Sequence, residues 1–302
     1  MPPAAEWGIF MVYIKKIMLP SDSAETIVIQ NEQRTCFNTF YPFKLFPQKM
    51  LSEVELDQIT MFYGGNGSGK STLINVIAEK INAVRFSEFN NSPFFSKYVN
   101  MCSIEYFRQP RKSYVLTSDD VFDYVLNARY INENNDDRRK ALFDKYLETH
   151  KKALLNPMIG SLDGLDDYEK WKETRDILSP KRSQSQYIKA RVAKDVDLCS
   201  NGETAMRYFI DRIEESAVYF LDEPENSLSV EYQIQFAEYI MAVARSARSQ
   251  FIIATHSPIF LSMKGAEIYN LDNYPVRKCK WTDLPNVRMY FDFFMTHKEE
   301  FD

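Results

Sequence analysis

Histidine, cysteine and glycine are all scarce in this chain: three, four and nine residues among 302. Cys36, Cys102, Cys199 and Cys279 form no CxxC pair, and few histidines stand by to complete a ligand set. That argues against a metal cluster or a disulfide scaffold. Reduced thiols in a cytoplasm fit the spacing better. Long apolar runs are missing too. The longest candidate, Trp7 to Ile14, stops at Lys15-Lys16 after eight residues, well short of the roughly 20 that span a bilayer. No basic residues precede it, so it reads as a strand and not as a secretory leader. Neither charge dominates: 37 Lys and Arg against 42 Asp and Glu leave a net −5, which gives no global attraction to nucleic acid. What remains is ordinary globular material, 45% apolar and 26% charged, enough for one large domain or two medium ones.

The few glycines are concentrated. Gly64, Gly65, Gly67 and Gly69 fall within six residues, in the stretch Gly64-Gly65-Asn66-Gly67-Ser68-Gly69-Lys70-Ser71-Thr72. This satisfies the phosphate-binding pattern GxxxxGK[ST]. Ile59-Thr60-Met61-Phe62-Tyr63 before it reads as a buried strand, and Leu73, Ile74, Ile77, Ala78 and Ile81 after it recur at helical spacing. A loop between strand and helix can wrap phosphates in backbone N–H groups while the helix N-terminus adds partial positive charge. Lys70 would reach the β- and γ-phosphates of a nucleotide, and Ser71 would offer its hydroxyl to Mg²⁺.

Two further apolar runs end in chemistry. Ala217-Val218-Tyr219-Phe220-Leu221 stops at Asp222-Glu223-Pro224. Paired carboxylates at the end of a hydrophobic strand are costly without a cation nearby. Asp222 would hold Mg²⁺ through its water shell and Glu223 would take a proton from the attacking water. Phe251-Ile252-Ile253-Ala254-Thr255 leads to His256, placed to donate to a γ-phosphate. Cys199-Ser200-Asn201-Gly202-Glu203 precedes an amphipathic run through Ala205, Met206, Phe209, Ile210 and Ile213. Taken locally it is a capped helix with an acidic first turn.

Together these segments resemble the ABC-class ATPases. Ser200-Asn201-Gly202-Glu203 is similar to that family's signature motif, 22 residues before Asp222, and His256 lies 33 after Glu223. Asn226-Ser227-Leu228-Ser229 stands where the family has its D-loop, and Gln109, after Ser103-Ile104-Glu105-Tyr106-Phe107, at the Q-loop position, where it would touch nucleotide and Mg²⁺. Asn201 and Ser229 depart from the family's usual glycine and aspartate. Within the class, the motifs look more like the RecF-type, chromosome-maintenance and overcoming-lysogenization-defect heads than like transporter subunits. The 128 positions from Thr72 to Ser200 leave no room for long coiled-coil arms, and 46 residues after His256 leave none for an appended nuclease.

The resemblance implies an α/β P-loop fold: a mixed sheet core, an N-terminal antiparallel β-subdomain and an inserted helical lobe. Residues 1–110 and 201–302 would form the nucleotide-binding lobe. Residues 111–200, with 33 charged residues in 90 against 46 in the other 212, would form the helical one. Phe122, Tyr124 and Val125, and then Leu142, Phe143, Tyr146 and Leu147, recur at helical spacing there. In the first 55 residues Ile27-Val28-Ile29 and the aromatics Phe40, Tyr41, Phe43 and Phe46 read as strands with turns. One of these aromatics could stack on adenine; core packing is the other use.

The implied activity is Mg²⁺-dependent ATP hydrolysis in a homodimer. Each copy presents Ser200 and the amides near Gly202 to the other's γ-phosphate. DNA repair or phage defence would be served, with an effector protein as a further partner. A transporter's nucleotide-binding subunit, an ATP-locked scaffold with negligible turnover and a metabolite kinase are the rivals. Lys181, Arg182, Lys189, Arg191 and Lys194 form a run without acidic residues. It could meet nucleic acid, help dock a partner's nucleotide, or be a solvated face.

Overall fold

The computed structural model describes residues 12–33, 36–155, 168–178, 183–195 and 201–301. Strand β1 (Ile14–Met18) leads to helix α1 (Asp22–Gln30), then β2 (Glu53–Glu55) and β3 (Ile59–Tyr63). The glycine-rich loop connects β3 to α2 (Lys70–Lys80), followed by α3 (Phe95–Met101), β4 (Ser103–Tyr106) and β5 (Ser113–Thr117). A 38-residue helix, α4 (Ser118–Leu155), precedes α5 (Tyr168–Ile177) and α6 (Gln184–Lys189). The chain then alternates through α7 (Asn201–Ile210), β6 (Val218–Asp222), α8 (Val230–Ser246), β7 (Gln250–Ala254) and α9 (Pro258–Leu261). It ends with β8 (Glu267–Asn270), β9 (Arg277–Cys279) and α10 (Pro285–Thr296).

Six strands form one sheet in the order β5-β6-β7-β3-β8-β9. The first five are parallel, and β9 pairs antiparallel with β8. Parallel strands are buried on both faces, which is why β3, β6 and β7 read as nearly unbroken apolar runs. Side chains alternate across the sheet. Phe62, Val218, Phe220 and Ile252 join the core that holds Leu73, Ile74 and Ile77 of α2. Tyr219 instead stacks on Phe251, with centroids 5.3 Å apart, and Phe209 of α7 stacks on Phe236 of α8 at 4.9 Å.

A second, three-stranded antiparallel sheet runs β2-β1-β4. The buried amide of Gln250 ties it to the main sheet. Its Oε1 accepts from the backbone N–H groups of Tyr13 and Ile14, and its Nε2 donates to the carbonyls of Ile14 and Asp57. A buried side-chain amide with all these partners satisfied orients the two sheets uniquely.

Several expectations need correction. Ile27-Val28-Ile29 is helical, not a strand. The Ser21 hydroxyl accepts the Ala24 N–H at the N-cap, and Asp22 and Glu25 sit in the first turn, so capping outweighs the β-branched triplet. The aromatics after it form turns and a 3₁₀ segment (Pro47–Lys49) that pack on α3, with Phe43 edge-on to Tyr98 at 5.2 Å. Trp7 to Met11 lie outside the described residues.

The chain divides into two compact units: the described residues up to Phe122 with those from Asn201 onward, and the described residues within 123–199. The expected boundary at 111 is therefore shifted, because Ser113–Thr117 pairs with β6 in the main sheet. Charge-rich composition begins before the strand ends. In the second unit, the two apolar sets around Tyr124 and Phe143 belong to the single helix α4. Tyr146 of α4 meets buried Tyr187 of α6 at 5.7 Å.

Candidate functional site

The carboxyl ends of β3, β6 and β7 lie side by side, and each delivers a polar group. The loop after β3 curls back on itself with Gly69 at φ 97°, a left-handed conformation that strains any residue with a Cβ. A Cβ there would also come 3.1 Å from Leu45 Cδ2. The turn aims Lys70 inward, where its buried ammonium donates to the carbonyls of Gly64 (2.9 Å) and Gly65 (3.3 Å). Nζ also lies 2.6 Å from His256 Nε2 and 3.4 Å from Glu223 Oε1. His256 and Glu223 are themselves 3.4 Å apart. Ser71 donates its hydroxyl to Asp222 Oδ1 at 3.0 Å, and Thr72 exchanges a hydrogen bond with the Tyr41 hydroxyl at 2.9 Å.

Glu223 is held in an unusual backbone. Its φ of 48° is left-handed without being glycine, a cost that local structure tolerates mainly at functional positions. Its other carboxylate oxygen accepts from Asn226 Nδ2 at 3.1 Å. Burial lifts the Asp222 carboxyl from 3.8 to about 6. The Ser71 hydrogen bond pulls it down, Glu223 pushes it up, and Lys70 pulls it down. A carboxylate desolvated this far, with a hydroxyl beside it, is a fitting pair of oxygen ligands for a hard divalent cation. Among the described residues no three His, Cys, Asp or Glu side chains converge, so water and phosphate oxygens would complete that ion's shell.

Other predicted residues fall elsewhere. Gln109 is exposed in the loop before β5, and among the described residues no hydrogen bond joins it to Ser71 or Asp222. At the carboxyl end of β5 it is Thr117 that pairs in register with Asp222. Ser200, Lys181 and Arg182 lie outside the described residues. Gly202 sits in the first turn of α7, where a Cβ would meet the Tyr232 ring at 2.8 Å, so packing against α8 already requires a glycine. Ser229 caps α8, its hydroxyl accepting the Tyr232 N–H. In the basic run, Arg191 bonds Asp176 and lies 4.0 Å over the Tyr187 ring, and Lys189 and Lys194 have no acidic partner among the described residues.

Three residues escaped sequence reading. Asp272, just past β8, accepts the Gly65 N–H at 2.7 Å and so braces the glycine-rich loop; its own N–H is held by Asn270 Oδ1. Glu225 Oε1 accepts from the Thr255 hydroxyl and from the N–H groups of His256 and Ser257, which anchors the histidine's turn. The signals were faint: polar residues just beyond an apolar strand, and a third acid in a segment already rich in them.

A model of the ABC transporter family matches residues 48–226, more than half of the chain, and one of the AAA ATPase domain matches 203–261. The chain belongs to the ABC family. A curated relative, the tungstate uptake system ATP-binding protein TupC of Campylobacter jejuni, is 22% identical over 283 residues. That alignment covers 85% of this ABC chain and 71% of TupC. Among solved structures, the Smc head domain with an extended coiled coil bound to the C-terminal domain of ScpA, from Pyrococcus furiosus, has a TM-score of 0.42 at 12% identity. It is covered fully, along with 95% of this chain. The SMC head domain from Thermotoga maritima gives 0.38 at 14%, with 89% of this chain and 98% of that one covered. Among the described residues, no helix of this ABC protein is long and apolar enough to cross a membrane.

Proposed function

We propose that the protein binds Mg-ATP on the loop from Gly64 to Thr72, hydrolyses it, and uses the cycle to close and open a homodimer. The observation that carries this reading is the convergence of Lys70, Glu223 and His256 within 3.4 Å, beside the Ser71–Asp222 pair. Lys70 would exchange its two loop carbonyls for β- and γ-phosphate oxygens. Glu223 would accept the proton of a water attacking the γ-phosphorus as the bond to the bridging oxygen breaks and ADP leaves. His256, its backbone held by Glu225, would hydrogen-bond the γ-phosphate and register its departure. A divalent cation on Ser71 and Asp222 would neutralise phosphate charge. Ser200 and the amides near Gly202 of a second copy would complete each site, giving a two-fold dimer with two nucleotides between the copies.

Glu223→Gln keeps the shape of the side chain and removes the base. It should bind ATP, hydrolyse it roughly 100-fold more slowly or worse and stay closed, sedimenting as a more compact dimer with ATP than without it. A variant whose sedimentation ATP leaves unchanged counts against the switch. The TupC likeness favours a second reading, an ATP-binding subunit driving a separate membrane partner; ATPase stimulated by vesicles carrying that partner would support it. DNA repair as the process needs nucleic-acid contact. With Arg191 committed to Asp176, Lys189 and Lys194 are the described cations left to make it. ATPase stimulation by DNA that fades with salt and with neutralisation of these lysines tests that role.

A further inference from the structure

α10 is an anomaly on a surface otherwise rich in charge. Met289, Tyr290, Phe291, Phe293, Phe294 and Met295 all stand about half exposed or more, from 48% for Tyr290 to 64% for Met289. Only Val287 is buried in the helix, and Leu284 just before it. At 100° per residue, Arg288, Asp292 and Thr296 line one narrow polar stripe. Apolar side chains occupy roughly two-thirds of the circumference. Exposed Phe301 and half-exposed Trp281 flank the helix in the short 3₁₀ segments at its two ends. Among the described residues nothing covers this surface.

We propose that α10 is a pairing surface for a second copy of this chain, formed whether or not nucleotide is bound. Three features favour a copy over an unrelated protein. The first is area. Six large side chains left about half uncovered expose roughly 600 Å² per copy, so two copies would bury about 1,200 Å², the lower edge of a stable specific interface. The second is charge. Two molecules of net charge −5 repel, but the helix itself is neutral: its one cation, Arg288, lies a turn from its one anion, Asp292, and 4.0 Å from Asp283 before it, while Lys298, Glu299 and Glu300 follow beyond its far end. Two α10 helices can therefore meet along their apolar arcs without like charges opposed there. The third is width. A helix lying on one flat surface buries an arc of about 100° or a little more. An arc of two-thirds is covered when two related helices pack together and each also meets the aromatic turns flanking the other. A two-fold axis supplies both contacts at once.

The base of the helix points to a use. The Asn286 N–H donates to the Tyr63 hydroxyl at 3.4 Å, and its side-chain amide to the His256 carbonyl at 3.5 Å. A dimer joined through α10 would stay assembled through the cycle, with ATP opening and closing the sites inside it. The pairing does not depend on the proposed ATP switch; only this use does.

Sedimentation equilibrium without nucleotide tests it. Wild type and Lys70→Ala should both run at twice the 35.4 kDa chain mass. Phe291→Glu with Phe294→Glu should run at the single mass, with its melting temperature and ATP binding retained, since both side chains are already exposed. The milder Phe294→Ser should weaken the dimer by about tenfold or more. A nucleotide-free wild type that is monomeric, a dimer indifferent to both variants, or a monomer that pellets with neutral lipid vesicles through α10 would each overturn the proposal. A dimer seen only with ATP overturns it while leaving the switch standing. A constant dimer with no ATP-dependent closure does the reverse.

Discussion

Asp222 is a partly buried carboxylate whose ionised form is poorly solvated, which makes the proposed cation ligand a liability when no cation is bound. Because burial raises its folded value from 3.8 to about 6, the native protein holds that proton more tightly than the unfolded chain does. Its favourable contribution is therefore intact below about pH 4 and lost as the pH rises through 6. Asp222→Asn removes the charge. In thermal melts without divalent cation the variant should gain roughly 2–3 kcal/mol over wild type at pH 7 and little at pH 4. It should also lose Mg-dependent hydrolysis, a trade of stability for function confined to one side chain. Glu223 shows the same bargain in its backbone, with a φ of 48° where glycine would sit more easily.

At the scale of elements, α7 and α8 put Gly202 in a new light. Its resemblance to a signature glycine assigns it to phosphate, yet Tyr232 stands 2.8 Å from where a Cβ would go. Gly202→Ala should cost about 1–3 kcal/mol by overpacking, and Tyr232→Ala in the same chain should restore most of it in denaturant titrations. ATPase activity that stays low in the restored double variant would mark the phosphate role as separate from packing. The strands β3, β6 and β7 were legible because each is a short apolar run with an abrupt polar end. Ile27-Val28-Ile29 was not, since three branched residues look like a strand unless Ser21 is recognised as a cap. Gln109 stands before β5 and not at its carboxyl end for a related reason. Two short strands follow each other within 15 residues, and it is the second, ending at Thr117, that lies beside Asp222. Nothing local distinguishes an antiparallel edge strand from a member of the parallel sheet.

Across the whole molecule, the candidate site draws on residues that only tertiary structure brings together. Asp272 and Gly65 are 207 positions apart, and no periodicity links them. Because the pieces converge at one end of the sheet, a ligand there should stabilise the unit that carries it as a body. ATP with Mg²⁺ at about 100 times its dissociation constant should add ~2.7 kcal/mol. Differential scanning fluorimetry should show the rise in wild type and its absence in Lys70→Ala.

The bond between Asp272 and Gly65 also sets a clock on biosynthesis. At about 5–20 residues per second, a ribosome that has made Gly65 needs roughly 10 to 40 s more before Asp272 exists to brace it. His256 and Glu223 arrive during that interval. A nascent chain that has not yet reached Asp272 thus carries the glycine-rich loop without its strut, and the bracing comes only once β8 and the turn after it have been made.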